Sequence, residues 1–215
     1  MTAILFDLDG TLLNTLEDLT DATNAALWHF GYPARTLDEV RQFVGNGAWR
    51  LIRLALPEDA GDQAVEEVLD WYKAYYAAHS QIKTRPYDGI LEALAEVRKE
   101  FPVAVVSNKP DEATKLLCAR YFGEVYALGE SSRCPRKPAP DMVHRAMAEI
   151  GADRCIYVGD SEVDVLTAKN AGVPCLSVLW GFRDREMLEE NGAEHFCQDP
   201  SRLLNDLKEM VKHGK

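Results

Sequence analysis

The sequence predicts an α/β fold: a parallel sheet with helices on both faces, and a helical segment inserted after the first strand. Three observations predict it. An apolar run, Ala3-Ile4-Leu5, ends in Phe6-Asp7-Leu8-Asp9-Gly10-Thr11. From Leu16 to about His79 the apolar residues recur at helical spacing, and no strand pattern interrupts them. Beyond Pro86-Tyr87-Asp88-Gly89, short buried runs alternate with helical patterns, the rhythm of a sheet covered on both faces. The chain is thus expected to divide into an α/β core, residues 1–14 and 83–215, and a small helical bundle, residues 15–82.

The elements follow in order. Side chains at i and i+2 of a strand share a side, so Asp7 and Asp9 can converge on one spot as Gly10 turns the backbone. Leu16, Leu19, Thr23, Ala26 and Phe30 form one stripe of the first helix. Thr36 and Glu39 are spaced as a capping box for the next, where Val40, Phe43 and Val44 repeat. Gly45-Asn46-Gly47 breaks the run; Leu51, Ile52 and Ala55 mark another face, and Val65, Val68, Leu69, Tyr72 and Tyr76 the last. Trp28, Trp49 and Trp71 read as packing residues, with Trp180 following a strand near the acids. In the core, strands are expected near 103–107, 125–128, 156–159, 175–179 and 195–197. Pro110 and Pro140 fit first helical turns, and Gly151 and Gly192 helix ends. Leu203, Leu204, Leu207, Met210 and Val211 would lay a final helix on the sheet.

At 215 residues, 47% of them apolar, the chain can bury a full core and still carry an inserted domain. A net charge of -11 argues against sequence-independent binding to nucleic acid or anionic lipid, which recruits basic patches. An anionic substrate would therefore need cations gathered locally in its site. Cys118, Cys134, Cys155, Cys175 and Cys197 are scattered without a C-x-x-C, so they read as buried fillers in a reducing compartment. No basic and apolar leader precedes Asp7 and no run approaches a membrane span, so a cytoplasmic location is expected. Nothing in the sequence chooses between monomer and dimer.

Paired carboxylates at a strand exit can hold a hard metal ion and divide the work of nucleophile and proton carrier. A plain turn would use the same residues, and a calcium loop would need its glycine two positions later and a terminal Glu, neither of which is present. Further groups fall at other strand ends. Val103-Ala104-Val105-Val106 runs into Ser107-Asn108-Lys109, and Cys155-Ile156-Tyr157-Val158 into Gly159-Asp160-Ser161-Glu162-Val163-Asp164. Between them Arg136-Lys137-Pro138-Ala139-Pro140 opens a helical pattern. Taken singly, Ser107-Asn108 is a turn, Lys137 a solvated side chain and Asp160-Ser161 a helix cap. Together they place a nucleophile, a proton carrier, a hydroxyl, a lysine and more acids at the carboxyl edge of one sheet, where ligands of such folds bind.

In order and spacing these four segments resemble the haloacid dehalogenase superfamily of phosphohydrolases, over nearly the whole chain. Within it the chain is most similar to the bacterial phosphoglycolate phosphatases, through Phe43-Val44-Gly45-Asn46-Gly47-Ala48, Arg85-Pro86-Tyr87-Asp88-Gly89, Ser107-Asn108-Lys109-Pro110, Pro135-Arg136-Lys137-Pro138, Tyr157-Val158-Gly159-Asp160-Ser161 and Leu179-Trp180-Gly181. The resemblance implies a Rossmann-like core with a helical cap, and magnesium-dependent hydrolysis of a small phosphate monoester, 2-phosphoglycolate foremost, through an aspartyl phosphate. It implies Asp7 as nucleophile and Asp9 as general acid and base, with Mg2+ on Asp7, the Asp9 carbonyl and Asp160. Ser107, the Asn108 amide and Lys137 would bind phosphate, while Asp164 would orient Lys137 or a metal-bound water. Asn14-Thr15 stands where the family often has an acid and a serine, a departure at the expected hinge.

In the bundle, Asn46 is the expected substrate contact, because two glycines free its backbone and its amide both donates and accepts; a plain helix break is the alternative. Arg50 could pair with a substrate carboxylate, with Arg53, Lys73, Lys109 and Arg183 as rivals. Asp9 disfavours a dehalogenase, which needs no proton carrier there, and Lys73 has no context suggesting a Schiff base. A sugar phosphomutase, a broad nucleotide or pyrophosphate phosphatase, and a catalytically silent binding module remain as alternatives.

Overall fold

The computed structural model describes residues 1–132 and 134–213. The opening apolar run forms β1 (Thr2–Phe6), with Ala3 to Phe6 wholly inaccessible to solvent. The chain divides into two compact units, residues 14–85 and residues 1–13 with 86–215. Two short strands that periodicity did not reveal, β2 (Leu13–Asn14) and the later β3 (Arg85–Pro86), pair as a separate ribbon.

Residues 14–85 hold α1 (Leu16–His29), α2 (Leu37–Phe43), α3 (Gly47–Ala55) and α4 (Asp62–His79). The expected faces are buried through Leu16, Leu19, Thr23 and Ala26 on α1, Val40 on α2, Leu51, Ile52 and Ala55 on α3, and Val65, Val68, Leu69, Tyr72 and Tyr76 on α4. Phe30 departs from the expected stripe. Helix α1 ends before it, the chain turns at Gly31 (φ 77°), and the ring is 37% exposed. Trp28 departs too, at 84% exposure. It lies two residues from buried Ala26, hence on the opposite face of the helix. Trp49 donates its indole N–H to Glu66 (2.8 Å), and Trp71 stacks between His29 and Tyr75. Thr36 and Glu39 close their capping box, Glu39 N–H to Thr36 Oγ1 (3.2 Å) and Thr36 N–H to Glu39 Oε2 (2.7 Å).

The α/β unit continues through α5 (Ile90–Glu100), β4 (Val103–Pro110), α6 (Asp111–Phe122), β5 (Tyr126–Glu130), α7 (Asp141–Glu149), β6 (Arg154–Gly159), α8 (Glu162–Ala171), β7 (Cys175–Val178), α9 (Arg185–Glu190), β8 (His195–Cys197) and α10 (Leu203–His213). The strands form one parallel sheet in the order β5-β4-β1-β6-β7-β8. Strand alternation supplies a core to each face. Ile4, Phe6, Val105 and Val158 pack with α5, α6 and α10, while Ala3, Leu5, Val106 and Tyr157 pack with α7 and α8. Strand β4 runs past residue 107 because its register against β5 shifts between Val106 and Pro110. Pro110 and Pro140 cap α6 and α7 from just outside instead of entering the first turn. The five cysteines are thiols, and burial pushes Cys118, Cys155 and Cys175 up to about 12, far from thiolate chemistry. Among the described residues no helix is long and apolar enough to cross a membrane.

Starting at β1, the chain fills the sheet outward through β4 and β5, then returns to β6 and fills the other side. The carboxyl ends of β4, β1 and β6 therefore lie side by side at a topological switch point, where ligands of open α/β sheets bind.

In the helical unit one buried acid ties the last segment to α1. Asp18, 2% exposed, accepts the N–H groups of Ile82 (3.1 Å), Lys83 (2.9 Å) and Thr84 (2.8 Å). Asp18→Ala leaves these donors unmatched and is expected to cost about 2–4 kcal/mol. Urea unfolding followed by circular dichroism measures it; a midpoint equal to wild type would show that water replaces the carboxylate freely.

Candidate active site

Asp7 leaves β1 with its N–H bonded to Val158 O (2.8 Å), which registers it against β6. The chain then folds into a tight turn in which Leu12 and Leu13 N–H both reach Leu8 O, and Gly10, at φ 90°, N–H to Leu13 O. Thr11 is buried in this turn, donates Oγ1 to Asp160 Oδ1 (2.8 Å) and offers its carbonyl to the Trp180 indole N–H (2.9 Å). Trp180 is thus a pin for the turn. Asp160, just beyond β6, also accepts the Phe182 N–H at Oδ2 (2.8 Å). A β-carbon at Gly10 or Gly181 would collide with the Asp160 side chain, and one at Gly159 with that of Asp164. Glycine at these positions lets the acids sit against backbone.

Lys137, 2% exposed, is the hub of the site. Its Nζ lies 2.8 Å from Asp7 Oδ1, 2.8 Å from Asp164 Oδ1 and 3.0 Å from the Tyr157 hydroxyl. Its loop is clamped by Asn108, whose Nδ2 donates to Lys137 O (3.0 Å) and whose Oδ1 accepts Lys137 N–H (2.7 Å). Tyr157 passes the network to Val106 O (3.2 Å). Asp164 Oδ2 takes both the N–H and the hydroxyl of Ser161 (3.1 and 2.6 Å). Ser107, 2% exposed, accepts the Lys109 N–H at Oγ (3.2 Å). Lys109 in turn holds both oxygens of Asp9 (3.0 and 3.1 Å).

Charge in this site is out of balance. Buried Asp7, Asp160 and Asp164 bring one oxygen each within 4.8 Å of one another, against one ammonium, Lys137. Burial pushes Asp7 well above the ordinary carboxylate range, Lys137 pulls it down, and Asp164 and Asp160 push it further up. Burial likewise lifts Asp160 to about 7, with Asp164 adding to it and the Phe182 and Thr11 donors opposing. Burial opposes the charge on Lys137, yet Asp164, Asp7 and Tyr157 more than offset it and hold the ammonium well above its usual range. Asp7 Oδ1 is buried with the ammonium beside it but no donor aligned on it. An oxygen cluster with excess negative charge and an undersatisfied buried oxygen fits a hard divalent cation. Both oxygens of Asp164 are engaged by the charged Lys137 and by Ser161, and those of Asp160 by the neutral donors Thr11 and Phe182.

The fold therefore brings Asp7, Ser107, Asn108, Lys137, Asp160 and Asp164 together, with Asp9 beside them on Lys109. Asn46 and Arg50 belong to the helical unit, Asn46 between Gly45 (φ 118°) and Gly47 (φ 82°), Arg50 exposed on α3. Most rivals of Arg50 are engaged. Arg53 binds the carbonyls of Pro57 (3.1 Å) and Glu58 (2.7 Å), Arg183 binds Glu162 (2.8 Å) and Lys109 binds Asp9. Sequence reasoning missed Thr11, Tyr157, the clamp made by the Asn108 side chain, and the Lys109 pair. Tyr157 carries no sequence signal beyond that of a buried strand residue; Lys109 stood out only in the Ser107-Asn108-Lys109 strand end and as a rival for a substrate carboxylate, not as a partner of Asp9.

Residues 4–178 match the family of haloacid dehalogenase-like hydrolases. Curated relatives named phosphoglycolate phosphatase, from Pseudomonas aeruginosa and Pseudomonas syringae pv. tomato, are 30% and 33% identical to this chain, each over 97% of it and 78% of the relative. The crystal structure of a candidate phosphoglycolate phosphatase from Lactobacillus delbrueckii subsp. bulgaricus matches with a TM-score of 0.90 at 36% identity, covering 95% of this chain and 97% of that one.

The close fit of Gly159 against Asp164 generates an expectation of its own. Gly159→Ala must displace the Asp164 carboxylate from Lys137 and Ser161, at a cost of about 1–3 kcal/mol. An unfolding midpoint indistinguishable from wild type would mean that the strand yields instead.

Proposed function

The chain belongs to the haloacid dehalogenase-like hydrolase family, and we propose that it is a magnesium-dependent phosphatase acting on 2-phosphoglycolate through an aspartyl phosphate on Asp7. The observation that carries this reading is Asp7 itself: a buried carboxylate at the carboxyl edge of the sheet, one oxygen beside the Lys137 ammonium and without an aligned donor. An oxygen in that state is held in place and still has a lone pair to offer.

In the first half-reaction Asp7 attacks phosphorus in line, the bond from phosphorus to the ester oxygen breaks, and Asp9 gives that oxygen its proton. In the second, water attacks the phosphorus of the acyl phosphate, gives its proton to Asp9, and the bond to Asp7 breaks, restoring both carboxyl groups. The Ser107 hydroxyl and the Asn108 backbone N–H hold phosphoryl oxygens, and the Lys137 charge offsets the approach of two anions. Asp164 keeps the lysine pointed at Asp7. Asp7, Asp160 and the Asp9 carbonyl would hold a magnesium ion, which when bound neutralises phosphoryl charge.

The choice of substrate rests on the relatives and on the helical unit. Two-phosphoglycolate carries a carboxylate next to its phosphate, a group suited to a guanidinium, and Arg50 is the exposed arginine we assign to it, with Asn46 as its neighbour in recognition.

Asp7→Asn is expected to remove turnover while circular dichroism and the unfolding midpoint stay near wild type, since an amide is neither nucleophile nor strong ligand. Wild-type rates in that variant would refute the assignment of Asp7. A panel of phosphate esters, assayed in magnesium and again in excess EDTA, tests the rest. We expect 2-phosphoglycolate to give the highest kcat/KM, and activity to vanish with EDTA and return with magnesium. Nucleoside monophosphates, pyrophosphate or hexose phosphates ahead by about tenfold, about 1.4 kcal/mol of transition-state preference, would overturn the substrate and leave the chemistry standing.

A further inference from the structure

Lys109 is 6% exposed, and its ammonium donates to both oxygens of Asp9, 100 positions away in sequence. Three local features hold it there. The register of β4 against β5 slips between Val106 and Pro110, so Ser107, Asn108 and Lys109 fall in an irregular stretch, the device by which sheets re-aim side chains. The Lys109 N–H is taken by Ser107 Oγ (3.2 Å) and its carbonyl by Thr114 Oγ1 (3.2 Å). Gly129 packs against the same carbonyl, where a β-carbon would come within 2.6 Å, and its N–H is held by Asp111 (2.9 Å). These contacts hold the backbone of Lys109, and its side chain, 3% exposed, leaves the ammonium little room to move.

Asp9 is the opposite case. It lies in a turn, next to Gly10, and its side chain is 14% exposed against 3% for Lys109. A carboxylate there has three staggered χ1 wells open to it unless something selects one. A fixed ammonium contacting both oxygens selects one.

We propose that Lys109 is the positioning residue for Asp9, holding the carboxylate in the single orientation from which it exchanges a proton with the ester oxygen. The inference rests on the reading of Asp9 as proton carrier. It assigns Lys109 no contact with the transferring phosphoryl group, which distinguishes it from Lys137, whose ammonium lies on Asp7. A purely stabilising role is the competing account. Lys109→Met removes only one partner of a nearly buried pair, which is destabilising, so its fold is checked by circular dichroism before its kinetics are read; in the folded variant Asp9 is unheld.

The discriminating measurement is leaving-group dependence. Proton transfer to the departing oxygen matters for an alkyl ester and little for p-nitrophenyl phosphate, whose leaving group departs as the anion. Lys109→Met is expected to lower kcat/KM for the best alkyl phosphate about 10- to 100-fold and for p-nitrophenyl phosphate less than about threefold. Lys109→Arg should recover much of the alkyl rate. On an Asp9→Asn background, Lys109→Met should cost the alkyl ester less than about twofold more, since the group it positions is gone. Equal losses on both esters, or none, would overturn the inference. If Lys109→Met does not fold, Lys109→Gln, uncharged but still a donor, is read the same way. Asp9→Asn alone separates the two levels of the argument. If it slows both esters alike, the proton role of Asp9 fails; if it discriminates and the Lys109 variants do not, only the positioning role fails.

Discussion

Three buried carboxylates drawn around one buried ammonium are the arrangement on which the rest of this site depends. Lys137 touches Asp7 and Asp164 at 2.8 Å each, and Asp160 lies within reach of both acids. In an apolar interior such a cluster is costly unless each oxygen finds a partner. The surrounding structure answers that demand. Thr11 and Phe182 serve Asp160, Ser161 serves Asp164 with two donors, and Tyr157 takes the remaining side of the lysine. Asp7 alone keeps an oxygen without an aligned donor, and it is the oxygen facing the lysine.

The backbone is shaped to the same end. Gly10, Gly159 and Gly181 stand where any side chain would strike an acid, so two carboxylates press against main chain. Asn108 is hydrogen-bonded on both edges of its amide by the backbone of Lys137, which ties the end of β4 to the loop before α7. Replacing a single member would leave buried polar groups unpaired elsewhere, the mark of a network whose geometry is set collectively. The Lys109 and Asp9 pair stands beside this network, Lys109 following directly on Asn108.

The helical unit is organised by different means. Its apolar faces meet along α1, α3 and α4, and Asp18 gathers three consecutive N–H groups near its end. The exposed Trp28 and the stack of His29, Trp71 and Tyr75 show aromatic residues taking positions that their hydrophobicity alone would have placed inside. Helical periodicity reads which face is apolar. It says nothing of where the helix stops, and Phe30 left the stripe for that reason.

Local chemistry determined much of this protein. The apolar run before Asp7 marked a strand exit, helical spacing marked the buried faces of residues 14–85, and Thr36 with Glu39 announced a helix start; each depends only on residues a few positions apart. Strand ends carrying Ser107 and Asp160 were legible for the same reason, since a buried run followed by polar residues is a local pattern. The tertiary structure alone decided which polar groups meet. Asn108 finds Lys137 across 29 positions, Thr11 finds Asp160 across 149, and Lys109 finds Asp9 across 100. Those partnerships arise from the strand order and from a slip of register in β4, which no short stretch of sequence encodes. Tyr157 illustrates the limit: in sequence it is one more apolar residue of a buried strand, and only the packed sheet turns its hydroxyl toward Lys137.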